Sequence, residues 1–292
     1  MLFIVPIPVS NDSSTSYQLN LIYSTYLGGN GEDGVGPVFL DSDNNLTVIA
    51  KTYSTNFPIK NAIQTDNGGI DDIIIFKLNE NGDELLFSTY FGDNGVDNVF
   101  GADVDSSGNI VFVGITESSN FPLKKPIFDN RSNGSRDIFI TKISPDGQTI
   151  IFSTYFFSTS LYMVDVAVDT NDNIIVFGCT DGIRFISTDL NKQNVNGPTD
   201  FFLTKLSTDG QTILSSILLG GSGQETAQQM TLDSKNNPIF IGYTSSHDYP
   251  LNKAIKTDFG SSSLGIIINK FDYGSNSSIF SSCFGGIDLW AY

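Results

Sequence analysis

One hairpin-like motif recurs four times along this chain, and its regular spacing constrains what the chain can fold into. The copy that begins at Asp137 reads DIFITKISPDGQTIIFSTY, and related stretches begin at Asp72, Asp200 and Gly265. Each copy holds a lysine at the same place, and these lysines are nearly evenly spaced: Lys77, Lys142, Lys205 and Lys270. A regular period of this length predicts a repeat protein in which each unit buries its apolar surface against its neighbours.

A second motif recurs with the same period and predicts a β-hairpin. An aspartate begins a polar turn between two apolar stretches, and the four aspartates are evenly spaced: Asp41, Asp105, Asp169 and Asp233. Each copy also has an asparagine four residues after the aspartate, as at Asn45. The residue just before that asparagine is in each copy Gly, Asn or Asp: Asn44, Gly108, Asp172 and Asn236. These residue types best tolerate positive φ, which a short hairpin loop requires.

The lysine-containing motif predicts another hairpin, which turns at Gly82, Gly147, Gly210 and Gly274. Its first strand is almost continuously apolar, as at 73–76, so we expect burial on both faces. Helical periodicity is absent, and each repeat therefore supplies four antiparallel strands. The sequence predicts an all-β fold, a β-propeller built from four-stranded antiparallel blades of about 64 residues.

The period divides the chain into four complete blades plus partial edge repeats, within one propeller domain. The predicted units are an N-terminal partial repeat or half-blade at 1–30, blade 1 at 31–94, blade 2 at 95–158, blade 3 at 159–222, blade 4 at 223–286, and the start of a truncated next repeat at 287–292. Blade 3 is expected to be irregular, because Phe156 and Phe157 replace the glycine pair found elsewhere. Two alternatives stay open: an unstructured tail at the N-terminus, and a fragment of a larger ring rather than a closed ring of four or five blades.

The order of the motifs resembles the SBBP β-propeller repeat. The motifs that carry the resemblance are STYLGG at 24–29, NFP at 56–58, VDSSGN at 104–109, DIFITKI at 137–143 and the PDG turn at 145–147. The resemblance implies a propeller that is typically seven-bladed, which at this repeat length needs about 450 residues. It also implies a secreted or cell-surface protein that serves as a binding or scaffold module rather than as an enzyme.

Composition excludes several classes of partner. The formal net charge of −17 repels nucleic acid and anionic lipid surfaces. No apolar run approaches the roughly 18 residues that span a bilayer, and no signal peptide is visible at Leu2–Val9. An extracellular or cell-surface location is therefore expected from the resemblance alone. Cys179 and Cys283 occupy unmatched positions and are expected to be core residues rather than a disulfide.

The sequence contains no linear constellation of nucleophile, base and acid, and no cofactor motif. The leading hypothesis is a non-enzymatic binding or scaffold propeller with an unknown protein or carbohydrate partner. One alternative is a propeller enzyme, a hydrolase or lyase acting on glycans or peptides, whose site gathers residues from several blades. Another is a purely structural spacer.

The long connections at 52–71, 116–136, 180–199 and 244–264 differ most between repeats, so we expect any ligand to bind on their face. The candidate ligand-binding residues are Phe57, Phe121, His247, Asp248 and Tyr249. The three aromatic residues have a simpler interpretation, in which each holds a long loop onto its blade.

Two further sets of residues have both a functional and a structural interpretation. Asp41, Asp43 and Asn45 have the alternating oxygens that begin many calcium loops, but they lack the downstream ligands of such a loop, and a hairpin turn is favoured. The recurring lysines are expected to be structural, with each ammonium group reaching a carbonyl or carboxylate of an adjacent blade.

Overall fold

The fold is described from a computed structural model, in which residues 23–128, 136–158, 163–182, 185–188, 194–260 and 263–285 are described. Within these described residues, sixteen strands form four sheets. The first sheet contains β1 (Val38–Leu40), β2 (Leu46–Thr52), β3 (Asp72–Leu78) and β4 (Leu85–Phe91). The second contains β5 (Asp97–Val104), β6 (Ile110–Thr116), β7 (Asp137–Ile143) and β8 (Ile150–Ser158). The third contains β9 (Val164–Val168), β10 (Ile174–Thr180), β11 (Asp200–Leu206) and β12 (Ile213–Leu219). The fourth contains β13 (Glu225–Leu232), β14 (Pro238–Thr244), β15 (Gly265–Asp272) and β16 (Ser277–Phe284).

Each sheet is a blade whose four strands pair antiparallel in chain order. Helices are absent from the described residues, so the predicted all-β propeller class is confirmed. Each sheet lies inside one of the predicted repeat ranges. The predicted half-blade lies mostly outside the described residues, and the truncated repeat at 287–292 lies wholly outside them. No helix in the described part of the chain is both long and apolar enough to span a membrane.

The turn chemistry accounts for where the strands reverse. The predicted left-handed residues of the first hairpin all have positive φ: Asn44 at 60°, Gly108 at 76°, Asp172 at 62° and Asn236 at 64°. In the second hairpin Gly82, Gly147 and Gly210 have φ of 68–69°. The fourth repeat corrects the prediction, because its left-handed residue is Asn276 (φ 50°) and not Gly274.

The blades bury their apolar faces against one another. Between the first and second blades, Ile73, Ile75 and Phe91 pack against Phe112 and Phe139. Similar clusters lie between the second and third blades and between the third and fourth. At the last of these interfaces the rings of Phe177 and Phe240 stack with centroids 4.4 Å apart. The two-sided burial of each sheet follows from this stacking.

The recurring lysines join the two hairpins of a blade, and Lys77 and Lys142 also donate a hydrogen bond to the next blade. Lys142 Nζ lies 2.7 Å from Asp105 Oδ2 of its own blade and donates to the Thr208 carbonyl of the next blade at 2.9 Å. Lys77 makes the equivalent contacts with Asp41 and with the Pro145 carbonyl. The predicted contact with an adjacent blade is confirmed for Lys77 and Lys142, where it is made to a carbonyl, whereas the carboxylate partner of each lysine belongs to its own blade.

The first strands of successive blades lie side by side. β5 contacts β9, and β9 contacts β13. The inner edges of three blades therefore form one continuous surface, and any site on that surface is assembled from residues far apart in sequence.

Candidate functional site

The aromatic residues predicted to bind a ligand are buried instead. Only 4% of Phe57, 3% of Phe121 and 5% of Tyr249 is exposed. Each ring packs on its own or a neighbouring blade, as where Phe121 lies 4.6 Å from Phe139 and Tyr249 lies 6.0 Å from Phe201. Rings buried to this degree leave little surface for a ligand to contact, which favours the simpler interpretation that they hold the long loops onto the blades.

His247 and Asp248 are exposed, but both side chains contact neighbouring parts of the protein. The His247 ring stacks on Phe259 with centroids 4.4 Å apart. Asp248 Oδ1 accepts hydrogen bonds from the Ser222 backbone N–H at 2.8 Å and from the Ser222 hydroxyl at 3.0 Å, and these bonds lower the pKa of Asp248. Asp248 thereby fastens the turn that enters the fourth blade, and the pair shows no geometry of a catalytic acid and base.

The aspartate-led turns use their carboxylate oxygens within the hairpin. Asp41 Oδ1 accepts from the backbone N–H groups of Asp43 and Asn45, at 3.0 and 2.9 Å. Asp41 Oδ2 accepts from the Asn45 side-chain amide at 3.0 Å and faces Lys77 Nζ at 3.3 Å. Because an ammonium group already neutralises this carboxylate, the calcium-loop alternative for Asp41, Asp43 and Asn45 is not supported. No group of three or more potential metal ligands occurs in the described part of the chain.

An apolar cavity of about 180 Å³ lies on the outer face of the first blade, between that blade and Tyr23 and Leu27. Its floor includes Leu46, Val48 and Ile74. The equivalent face of the second blade is covered by the preceding blade, through contacts such as those of Phe112 and Phe139. The cavity therefore lies on the kind of blade face that, in the second blade, packs against a neighbouring blade, and it is a poor candidate for a ligand site.

A better candidate is an open groove on the inner surface, which we call the central groove. It measures about 330 Å³ and is lined by residues of three blades: Phe100, Met163, Val164, Asp165, Gln228, Gln229 and Ile241. A continuation of about 350 Å³ shares Asp165 and Gln229 with it and extends along the same strands past Asp103 and Thr231. The arrangement is an elongated cleft rather than a closed pocket.

Two β-bulges direct side chains at the central groove. The register of β5 shifts between Val99 and Gly101, which leaves Phe100 as the extra residue. The register of β13 shifts between Ala227 and Gln229, which leaves Gln228 as the extra residue. These two residues occupy the same position of the repeat, one in the second blade and one in the fourth. Bulges reorient side chains and are common beside binding sites.

Two aspartates hold the inner strands together along the central groove. Asp103 Oδ2 accepts from the backbone N–H of Val168 in the next blade, and Asp165 Oδ2 accepts from that of Met230, both at 2.8 Å. Burial raises the pKa of Asp165, and the nearby charge of Asp103 raises it further. A carboxyl group with a raised pKa that lines a cleft has the properties expected of a proton donor or acceptor.

Sequence reasoning missed the central groove because it looked for variation in the loops. The signal was present in the repeat alignment: positions 36, 100, 164 and 228 hold Gly, Phe, Val and Gln within otherwise similar surroundings. A position that changes character between repeats, on a strand with a regular period, is a candidate for function. The two bulges cannot be located from the sequence, because the pattern of apolar residues along a strand does not show where an extra residue is inserted.

Comparison with known proteins identifies structures of related shape but no family. No family model matches the chain, and no curated protein does. The resemblance to the SBBP repeat accordingly remains a prediction.

Solved structures match the chain over most of its length. A protein of unknown function from Dyadobacter fermentans has 12% identity and a TM-score of 0.44, over 87% of this chain and 64% of that one. A mannose phosphorylase from Leishmania mexicana has 12% identity and a TM-score of 0.38, over 90% and 73%. An ulvan lyase, a polysaccharide lyase, has 12% identity and a TM-score of 0.42, over 97% and 61%. The chain thus spans less than two thirds of the first and third of these structures.

These matches correct the prediction that the chain is not an enzyme. Two of the matching structures are a mannose phosphorylase and an ulvan lyase, and the prediction that the chain is not an enzyme is contradicted and is not retained. At 12% identity the likeness concerns the fold alone. Any activity proposed for this chain must therefore be argued from the residues of the chain itself.

Proposed function

We propose that this protein is a glycan-recognising β-propeller whose ligand lies in the central groove. The observation that carries the proposal is the combination of an aromatic ring, Phe100, with the two adjacent amides of Gln228 and Gln229 along one open cleft. A pyranose ring has an apolar C–H face that packs on an aromatic ring, and hydroxyl groups that pair with the donors and acceptors of an amide. A cleft built from three blades also suits an extended chain.

The charge of the protein indicates which glycans the groove accepts. The formal net charge is −17, and the described lining of the groove includes Asp103 and Asp165 but neither Lys nor Arg. Sulfated or uronate-rich chains are repelled by such a surface. The ligand is therefore a neutral glycan or one that carries amino groups.

Cleavage of the bound glycan is a second candidate function, and Asp165 favours it. Its carboxyl group lines the groove, and burial raises its pKa, which favours proton transfer nearer to neutral pH. Incubation with each bound oligosaccharide, followed by chromatography for shortened products, separates cleavage from binding alone.

Truncation of the groove residues tests the proposal. We expect Phe100→Ala and Gln228→Ala each to weaken binding of a neutral oligosaccharide by about fivefold to a hundredfold, because a central anchor contributes on the order of 1–3 kcal/mol. The measurement is isothermal titration calorimetry with neutral manno-, gluco- and xylo-hexasaccharides, the amino-bearing chitosan hexasaccharide, and ulvan as the anionic comparator.

His247→Ala is the matched control, because His247 is exposed on the long-loop face that the sequence favoured. We expect this variant to bind as the wild type does. Loss of binding in His247→Ala with unchanged binding in Phe100→Ala and Gln228→Ala would place the ligand on the loops and contradict the proposal.

A further inference from the structure

Two buried carboxyl groups face each other across the junction between the first and second blades. Asp72 begins β3 and Asp97 begins β5, and both are fully buried. A Cβ atom placed on Gly92, in the turn between these blades, would lie 2.6 Å from Asp72 Oδ1 and 2.6 Å from Asp97 Oδ2. The two oxygens are therefore separated by no more than twice that distance, and glycine leaves room for them.

Hydrogen bonds hold both carboxyl groups in place without neutralising them. Asp72 Oδ2 accepts from the Gln64 amide and from the Gly68 N–H, both at 2.8 Å. Asp97 Oδ2 accepts from the Ser118 hydroxyl at 2.7 Å and from the Asp93 N–H at 2.9 Å.

The other charged or titratable groups at this junction do not offset the pair. A third buried carboxylate, Asp71, also faces Asp72 and Asp97, and Lys51 Nζ lies 3.0 Å from its Oδ2. Two further titratable residues lie nearby: Tyr90, whose hydroxyl accepts from the Phe57 N–H and donates to the Ser54 carbonyl, and Asp93, whose backbone N–H donates to Asp97. The ammonium group of Lys51 thus pairs with Asp71 and leaves Asp72 and Asp97 facing each other.

The junction between the third and fourth blades repeats this arrangement. Asp200 begins β11 and Glu225 begins β13, and a Cβ atom on Gly220 would meet Asp200 Oδ1 and, at 2.7 Å, Glu225 Oε2. Thr244 and Ser246 donate hydroxyl hydrogen bonds to Glu225 Oε1 at 2.6 and 2.5 Å.

The titratable groups beside Asp200 and Glu225 do not neutralise this second pair. Cys179 and Tyr249 are buried beside it, and burial raises the pKa of both, so both stay neutral. Asp248, with its neighbour His247, lies over the adjoining Gly221. At the junction between the second and third blades, the position equivalent to Asp97 and Glu225 holds Leu161, a residue outside the described part of the chain.

Two carboxylates this close in a buried site cannot both carry a charge at low cost, so the pair retains a proton to higher pH than an exposed acid does. Burial, followed by the charge of neighbouring aspartates, raises the pKa of Asp72 to about 7 and that of Asp97 to about 6. Burial, together with Asp200, raises the pKa of Glu225 to about 7.

We propose that these two pairs act as proton-dependent latches, in which one proton shared between adjacent blades closes each junction and its loss above neutral pH loosens the two blades. Each latch has one member at the first residue of an inner strand, Asp97 in β5 and Glu225 in β13. These residues precede Phe100 and Gln228 of the central groove by three positions, so a loosened junction also disturbs that surface. The latch itself does not depend on what the groove binds.

The sign of the pH effect follows from the direction of the shifts. An acid whose pKa is higher in the folded than in the unfolded state stabilises the fold fully below its unfolded pKa, and that contribution is lost as pH rises through the folded pKa. We therefore expect the melting temperature of the wild type to fall between pH 5 and pH 8.

Neutral isosteres test the latch. In the double variant Asp97→Asn and Glu225→Gln each pair keeps one carboxylate and gains a permanent amide donor, so we expect its melting temperature to change much less over this pH range. A small residual slope is expected from Asp165, whose pKa is also raised. Glu80→Gln, which neutralises an exposed acid, is the matched control and should follow the wild type. Parallel curves for the double variant and the wild type would overturn the proposal.

Hydrogen–deuterium exchange of the wild type provides a second test that needs no variant. After correction for the intrinsic pH dependence of exchange, the first residues of β5 and β13 are expected to exchange faster at pH 8 than at pH 5. β9 should change less, because the sequence has Leu161 in place of the second acid and only Asp165 in this strand has a raised pKa. An equal change in all three strands, or none in any, would also contradict the latch.

Discussion

Replacement of Lys142 with alanine is expected to lower the free energy of unfolding by about 3–5 kcal/mol, because it removes one partner of a buried ion pair. Lys142 is 4% exposed, and its ammonium group contacts both Asp105 and the Thr208 carbonyl of the next blade. Without it the Asp105 carboxylate stays buried with hydrogen bonds from its own turn alone. Although burial opposes it, hydrogen bonds from Lys142 and Asn109 lower the pKa of Asp105, so the loss is expected at neutral pH and should shrink in acid.

Urea denaturation followed by fluorescence measures this loss. Lys60→Ala is the matched control, because Lys60 forms an exposed pair with Glu84 at 3.2 Å and its removal is expected to cost less than about 1 kcal/mol. If Lys142→Ala lost no more stability than Lys60→Ala, the lysines would not be the links between blades that the structure indicates.

Gly147→Ala is expected to cost about 2–5 kcal/mol, because two penalties combine. Gly147 has φ of +69°, where a side chain costs about 1–2 kcal/mol. Its Cβ would also overlap the ring of Phe87 in the preceding blade, whose Cγ would lie 2.7 Å away. Phe87 is 2% exposed and belongs to the core between these blades, so it has little room to move, and overpacking adds about 1–3 kcal/mol.

Gly108→Ala separates the two penalties. Gly108 has φ of +76°, but the nearest atom to its Cβ would be 3.6 Å away, on Pro145. We expect this variant to lose only the backbone penalty of about 1–2 kcal/mol. Equal losses in the two variants, measured by urea denaturation, would show that the contact between Gly147 and Phe87 is not tight.

The sequence predicted the blades because two local signals repeat together. The turn residues, such as Asn44 and Gly108, indicate where the chain adopts positive φ. The apolar stretches between the turns indicate which segments are buried strands. The lysine links were also predictable, since a regularly spaced cation on an apolar strand needs a buried acceptor. Each of these features depends on a few neighbouring residues and on the period.

The central groove was not predictable in the same way. Phe57 and Phe121 lie in long loops and had two interpretations from the sequence, as part of a ligand surface or as anchors of their loops, and the structure buries both. Phe100 looked like an ordinary strand residue, and only the bulge in β5 turns it towards the groove. Asp72 and Asp97 lie on different blades, with the whole of β4 between them in the chain, and their proximity depends on how the blades pack. Tertiary packing, rather than local pattern, decides all of these positions.

The central claim is that a neutral or amino-bearing glycan binds across the inner strands of three blades. Hydrogen–deuterium exchange of the wild type, with and without a saturating concentration of the hexasaccharide that binds most tightly by calorimetry, tests it most directly. We expect protection in β5, β9 and β13 around Phe100, Asp165 and Gln228, with little change in the loops at 52–71 and 244–260. Protection confined to those loops, or binding of ulvan in preference to every neutral and amino-bearing chain, would contradict the claim.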